Sequence, residues 1–136
     1  MDHSTALDVI RQHGPFLADF LGLTDWRINF EVRRIEDRDT FASVTYSVDY
    51  RTATVLIDPQ KIIDDSHAID GLFHELAHLL NAPFGIYRNS FRSCVDSEEA
   101  ESSIWIHASE TAILRLEWLW RNHLRKIYLE EFTEPR

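Results

Sequence analysis

Apolar residues recur at two different spacings along this chain, and the change of spacing predicts helix, then strands, then helix again. In residues 4–21 the apolar positions fall near one face of a helix. Gly14 and Pro15 are expected to break or kink this helix, and Gly22 is suited to cap its C-terminal end. Residues 25–35 alternate between apolar and polar side chains, which is typical of a half-buried strand.

Two further strands and two further helices are predicted after residue 35. Residues 41–50 and 52–57 have the composition of strands, and the short link between them is suited to a hairpin. Helical spacing returns at residues 67–80, where Ser66 is expected to be the N-cap. Residues 97–131 are expected to form one long helical rod.

This order of elements predicts an α+β domain. Its sheet is expected to be small, three-stranded and mostly antiparallel. The sheet would pack with the N-terminal helix, the helix over residues 67–80 and the long C-terminal helix. The 136 residues fit a single domain over 1–136 that is large enough to bury a core.

Charge and cysteine content narrow the class of protein. A net charge of −9 and only small basic clusters argue against nucleic acid as a partner. No apolar run approaches the roughly 20 residues of a membrane span, so no membrane partner is expected. The first residues lack the pattern of a signal peptide, and Cys94 is the single cysteine. These features predict a soluble cytoplasmic protein.

The segment LFHELAHLL, residues 72–80, carries the candidate chemistry. His74 and His78 are four residues apart, so on a helix they lie on one face and present two imidazoles to a single point. Neutral imidazole is a preferred ligand of Zn²⁺. Glu75 lies about 100° around the helix axis, where it can reach a water bound to the metal and act as its general base. A buried helix with two chance histidines is the alternative, but burying these groups without partners is costly.

A third ligand from the protein is needed to complete such a site, and the last predicted helix offers several carboxylates. Glu110 is the first choice, because apolar residues on the adjacent turns are expected to turn it inward. Its neighbours one turn away are Ile106, His107, Ile113 and Leu114. Glu101 lies on a more polar face, and Glu117 lies about 10 Å further along the helix. A structural pairing of Glu110 with an arginine is the alternative to a ligand role.

Two other residues are weighed as assisting groups. His107 shares the face of Glu110 and is either a fourth ligand, a hydrogen-bond partner or donor at the site, or a core residue. Tyr87 follows the histidine-bearing helix and either polarises a substrate carbonyl or only packs. The remaining histidines are expected at the surface, and they are His3, His13, His67 and His123.

On these residues the chain resembles the small zinc metallopeptidase-like domains encoded by phages and prophages, a minimal branch of the zincin superfamily. The matching segments, in order, are LGLTDWRINFEV, TATVLIDP, LFHELAHLL and ETAILRL. The resemblance implies that His74 and His78 bind zinc, that Glu75 is the general base and that Glu110 is the third ligand. It also implies that substrate lies along a sheet edge, at residues 52–57 or at a neighbouring strand. No H-x-x-G-x-x-H continuation follows His78, so the chain does not resemble a metzincin.

The sequence therefore predicts a zinc-dependent peptidase of the gluzincin type that acts on a peptide or protein substrate. One alternative is a zinc-stabilised protein-interaction module that cleaves nothing, and another is a metal-free structural domain. Glu75 favours the enzyme, because a purely structural zinc site has no need of a general base.

Overall fold

The computed structural model of the protein describes residues 1–82 and 98–133, without the side chains of residues 98 and 100–102. Its helices are α1 (His3–Phe20), α2 (Asp65–Asn81), α3 (Glu98–Leu119) and α4 (Arg125–Thr133), and its strands are β1 (Arg27–Val32), β2 (Ala42–Ser47) and β3 (Thr52–Ile57). A short 3-10 turn, Pro59–Lys61, follows β3, and a π-helical turn, Trp120–Leu124, joins α3 to α4. The α+β class predicted from the sequence is confirmed.

The α1 helix continues through Pro15, so the expected break at that residue is wrong. Its end is the one that the sequence predicts. Gly22 has a φ of 77°, a left-handed conformation that glycine adopts without strain. The backbone N–H of Gly22 donates to the carbonyl of Asp19 at 3.0 Å, and that of Leu23 donates to Ala18 at 2.9 Å. This pair of bonds is a Schellman cap, which satisfies the last carbonyls of the helix.

The three strands form a mixed sheet in the order β1-β3-β2. The β2 and β3 strands are antiparallel, with Ala42 opposite Ile57, as the predicted hairpin requires. The β1 and β3 strands are parallel, with Arg27 opposite Thr52, so the expectation of a mostly antiparallel sheet is wrong. The physical reason is that β2 and its flanking loops serve as the crossover that a parallel pair requires.

The β3 strand lies at the centre of the sheet, and it carries much of the core. Val55 and Ile57 have no exposed surface, and they belong to one buried cluster with residues of α1 and α2. Because β3 is paired on both sides, residues 52–57 do not form a sheet edge. Of the two implied substrate positions, only the neighbouring edge strands are available, and β2 is the strand that α2 contacts most.

The start of α2 and the C-terminal helices differ in detail from the prediction. Asp64, and not Ser66, is the N-cap of α2, since its carboxylate accepts the backbone N–H of His67 at 2.8 Å. The predicted C-terminal rod is present as α3, the π-helical turn and α4 in succession. Trp120 in that turn stacks on Phe73 of α2 with ring centroids 4.5 Å apart. Across the described residues, the helices all fall short of the length and apolarity that crossing a membrane requires.

His13 is buried in the core, so the expectation that it lies at the surface is wrong. Its Nδ1 lies 2.8 Å from the hydroxyl oxygen of Tyr128, and its ring stacks on Phe132 at 4.0 Å between centroids. Tyr128 is 115 residues away in sequence, so no local pattern announces this contact. Burial lowers the pKa of His13, although the charge of Asp65 opposes the change.

We expect His13 to make folding stability depend on pH. Because its pKa is lower in the folded state, the unfolded chain binds protons more readily below about pH 6.5, and stability falls as the pH drops. His13→Gln should lower stability by about 1–3 kcal/mol at pH 7 through the lost contact with Tyr128, and should flatten the slope between pH 7 and pH 5. Urea denaturation at several pH values measures both effects.

His3→Gln is the matched control, because His3 is exposed at the start of α1. That variant should keep the wild-type slope of stability against pH. A His13→Gln protein whose stability falls with pH as steeply as the wild type would contradict the assignment of that slope to His13.

Candidate metal centre

The H-E-x-x-H motif lies within α2, which packs against α1, β2 and α3. Leu72 and Leu76 on the same helix have no exposed surface, and Glu75 is only 7% exposed. His74 and His78 are half-buried. The motif is therefore an internal polar site that is partly open to solvent at its histidines.

The two imidazoles converge as the helical spacing predicts. Nε2 of His78 lies 3.3 Å from Nε2 of His74. Two nitrogen ligands of a tetrahedral zinc ion, each at about 2.0–2.1 Å, are separated by about 3.3–3.4 Å. The same separation also fits a hydrogen bond from one imidazole to the other. The pair thus has the spacing of two zinc ligands without any rearrangement of α2.

Glu117 of α3 fixes the orientation of His74. Its Oε1 contacts Nδ1 of His74, and its Oε2 lies 3.9 Å from a guanidinium nitrogen of Arg121. A carboxylate accepts hydrogen bonds and does not donate them, so Nδ1 of His74 carries the proton. Nε2 of His74 is then left with its lone pair directed at His78. Histidines that bind metals are held in this way by a carboxylate on the opposite nitrogen.

Glu75 has no partner of its own in the described part of the chain. Among residues 1–82 and 98–133 its carboxylate forms no hydrogen bond or salt bridge. Burial raises the pKa of Glu75 to about 7, and the charges of Glu110 and Glu117 add to this effect while His74 opposes it. Burial also lowers the pKa of His78, because it disfavours the charged form of the imidazole.

Glu110 does not point inward, and this part of the sequence reasoning is wrong. Its side chain is exposed. Of the neighbours expected to turn it inward, Ile113 is fully buried, but Ile106 is 60% exposed and Leu114 is 59% exposed. Glu110 is nevertheless close enough for its charge to raise the pKa of both Glu75 and His78. Its role as third ligand stays a prediction.

The other candidates fall in different places. His107 is exposed, which removes the reading of a core histidine. Tyr87 and the side chain of Glu101 lie outside the described residues. Within 1–82 and 98–133, no group of three or more histidine, cysteine, aspartate or glutamate side chains is arranged to hold a metal ion.

Sequence reasoning missed a polar cluster beside the motif. Asp70 lies one turn before His74, and its carboxylate accepts hydrogen bonds from Nε1 of Trp120 at 2.9 Å and from Arg125 at 2.8 Å. The spacing of Asp70 and His74 on one helix face was the available signal. These hydrogen bonds join α2 to the π-helical turn that follows α3. They therefore help to fix the position of α3 along α2.

Comparisons of this chain with protein families, with curated protein sequences and with solved structures gave no match. The types of side chain at the site indicate which metal ion it would suit. Two imidazoles with Nε2 atoms 3.3 Å apart, and carboxylates on the facing helix, suit zinc better than calcium or magnesium, which prefer oxygen ligands.

We expect the purified protein to bind about one zinc ion per chain, because the Nε2 atoms of His74 and His78 have the separation that two zinc ligands require. Elemental analysis after dialysis measures the stoichiometry, and the melting temperature should rise when zinc is added. His74→Ala and His78→Ala should each lose most of the metal, whereas His3→Ala should keep it. A folded, metal-free wild-type protein whose melting temperature ignores zinc would contradict the site.

Proposed function

We propose that the protein is a zinc-dependent peptidase in which His74 and His78 hold the ion and Glu75 is the general base. The observation that supports this most strongly is the 3.3 Å separation of the two Nε2 atoms, with a buried carboxylate on the next residue. A structural zinc site has no use for a buried glutamate, and Glu75 has no hydrogen-bond partner among the described residues, so this arrangement favours catalysis over a scaffold role.

The residues of the motif and the glutamates of α3 have distinct tasks in this proposal. When bound, a zinc ion supplies Lewis acidity, which makes water a nucleophile at neutral pH and polarises a carbonyl group. Glu75 accepts the proton of the attacking water and returns it to the leaving amine. Glu117 keeps His74 in one tautomer and one orientation through Nδ1. Glu110 completes the ligand set from α3.

The substrate proposed for this site is a peptide or an extended segment of a protein. Among the described strands, β2 is an edge of the sheet, and it packs against α2, the helix that carries the motif. An extended peptide can pair with such an edge through backbone hydrogen bonds. That pairing would bring a peptide bond towards Glu75 without requiring any particular side chain.

We expect Glu75→Gln to retain zinc and to lose hydrolysis. The amide keeps the shape of the side chain but cannot accept the proton of water at neutral pH, so cleavage should fall by a factor of roughly 10² or more. The measurement is the cleavage rate of an internally quenched peptide library, with zinc content determined on the same samples. Glu131→Gln, at an exposed position on α4, is the matched control and should cleave at the wild-type rate. Equal activity in the Glu75→Gln protein would remove that residue from the mechanism.

We also expect Glu110→Ala to weaken zinc binding more than Glu101→Ala or Glu117→Ala. Loss of a ligand should cost 10-fold or more, by analogy with what the loss of an outer hydrogen-bond partner costs. Glu117→Ala should show a smaller loss, because that residue acts on the far nitrogen of His74. Competition with a zinc-sensitive dye measures the three affinities. If Glu101→Ala or Glu117→Ala shows the largest loss, Glu110 is not the third ligand.

A further inference from the structure

A cavity of about 310 Å³ opens beside the histidine pair. It lies between the start of β2, the middle of α2 and the π-helical turn, and His74 and Glu75 are among its lining residues. Its volume is near the lower end of the roughly 300–1,000 Å³ of small-molecule sites, so it suits a single long side chain. Whatever occupies it lies next to the proposed reaction centre.

One wall of the cavity is the ring of Phe41, which lies directly on α2. A Cβ atom at Gly71 would come within 2.4 Å of Cε2 of Phe41, so only glycine permits this approach. The ring of Phe41 also contacts His67, with centroids 4.3 Å apart. The ring of Phe41 therefore contacts α2 at two positions, Gly71 and His67.

Trp120 is also among the lining residues, and its side chain is equally constrained. Its ring stacks on Phe73 with an interplanar angle of 7°, and its Nε1 donates to Asp70 at 2.9 Å. A cavity bounded by two fixed aromatic side chains is suited to a flat or extended apolar group, such as the methylene stem of a long side chain.

Some of the charge around the cavity is already neutralised. Asp70 is paired with Arg125 at 2.8 Å. Glu117 contacts His74, and its second oxygen lies 3.9 Å from Arg121, whose side chain is 58% exposed. Arg121 is the lining guanidinium among the described residues, and it is directed at Glu117.

The remaining charge is negative and lacks partners. The carboxylate of Asp39 lines the cavity at its exposed rim, and no hydrogen bond or salt bridge neutralises it in the described parts of the chain. Glu75 lines the inner end, is more than nine-tenths buried and is likewise without such a partner there. The unpaired carboxylate of Asp39, beside an aromatic lining, favours a cationic group over an anionic or purely apolar one.

We propose that this cavity is the subsite for a lysine or arginine side chain of the substrate, next to the scissile bond. The methylene stem packs along the aromatic lining of the cavity, chiefly on Phe41, and the cationic end binds the carboxylate of Asp39. The inference rests on the proposed peptidase function, and it adds the substrate class: peptides with a basic residue at the cleavage site. Asp39 is the residue that sets this specificity.

The first test measures binding without cleavage. Zinc-loaded Glu75→Gln protein is titrated into four fluorescein-labelled heptapeptides that differ only in the central residue, which is lysine, arginine, norleucine or glutamate. Fluorescence anisotropy gives the dissociation constants. The basic peptides should bind about 5- to 10-fold more tightly than the glutamate peptide, as one exposed ion pair with a cation–π contact allows.

The same titrations on variants with a second substitution identify the residue that is responsible for the preference for basic peptides. Asp39→Asn, added to the Glu75→Gln protein, should remove most of the preference for basic peptides, and Asp39→Lys should reverse it in favour of glutamate. Asp19→Asn is the matched control, because Asp19 is an exposed aspartate at the end of α1 and does not line the cavity. That variant should keep the full preference.

The second test measures cleavage of quenched versions of the four peptides by the zinc-loaded protein with Glu75 intact. Cleavage without a basic preference, or with a preference that Asp39→Asn leaves unchanged, would overturn the subsite and leave the peptidase standing. Binding that prefers basic peptides through Asp39, with none of them cleaved, would keep the binding site and overturn the peptidase. If the peptides show neither a binding preference nor cleavage, both the subsite and the peptidase are overturned.

Discussion

The burial of α2 is the constraint on which the rest of the structure depends. This helix contacts α1, β2 and α3, yet it carries two imidazoles and a carboxylate near its centre. Ionisable groups inside a protein are costly unless they have partners. For the imidazoles this compensation comes from α3, where Glu117 contacts His74 and the charge of Glu110 acts on His78. The facing helix is therefore as much a part of the site as the motif that the sequence displays.

A second constraint holds the loop over residues 33–41, which forms the outer side of the cavity. Asp58 is 2% exposed, accepts the backbone N–H of Ile35 at 2.9 Å, and donates its own N–H to the carbonyl of Phe41 at 2.8 Å. Burial by itself would raise the pKa of Asp58, but the hydrogen bonds that its carboxylate accepts from the backbone N–H groups of Ile35 and Gln60, together with the charge of Lys61, lower it overall. Lys61 in turn donates to the carbonyl of Ile35 at 2.6 Å. Asp58 and Lys61, at the end of β3, thus hold the loop that places Phe41 against α2.

The features that could be predicted from the sequence are those set by nearby residues. The three strands, the Gly22 cap and the convergence of His74 on His78 follow from alternation, from a single glycine and from a spacing of four. The features that were missed depend on contacts between distant segments. Parallel pairing of β1 with β3 requires knowledge of the crossover, and the outward position of Glu110 depends on how far α3 extends beyond α2. Helical periodicity identifies the residues that share a face of α3, but it does not predict which part of the protein packs against that face.

The two carboxylates of α3 are not equivalent once the structure is known. Glu117 occupies Nδ1 of His74, so Nε2 is the nitrogen left for a ligand, and it faces His78. Glu110 lies seven residues earlier, which is about 10 Å along the same side of the helix. A simple buried ion pair would need Glu117 and His74 but would not require a second imidazole at 3.3 Å. The paired nitrogens and the adjoining cavity instead fit a centre whose ligands are oriented from α3 and whose open side receives another molecule.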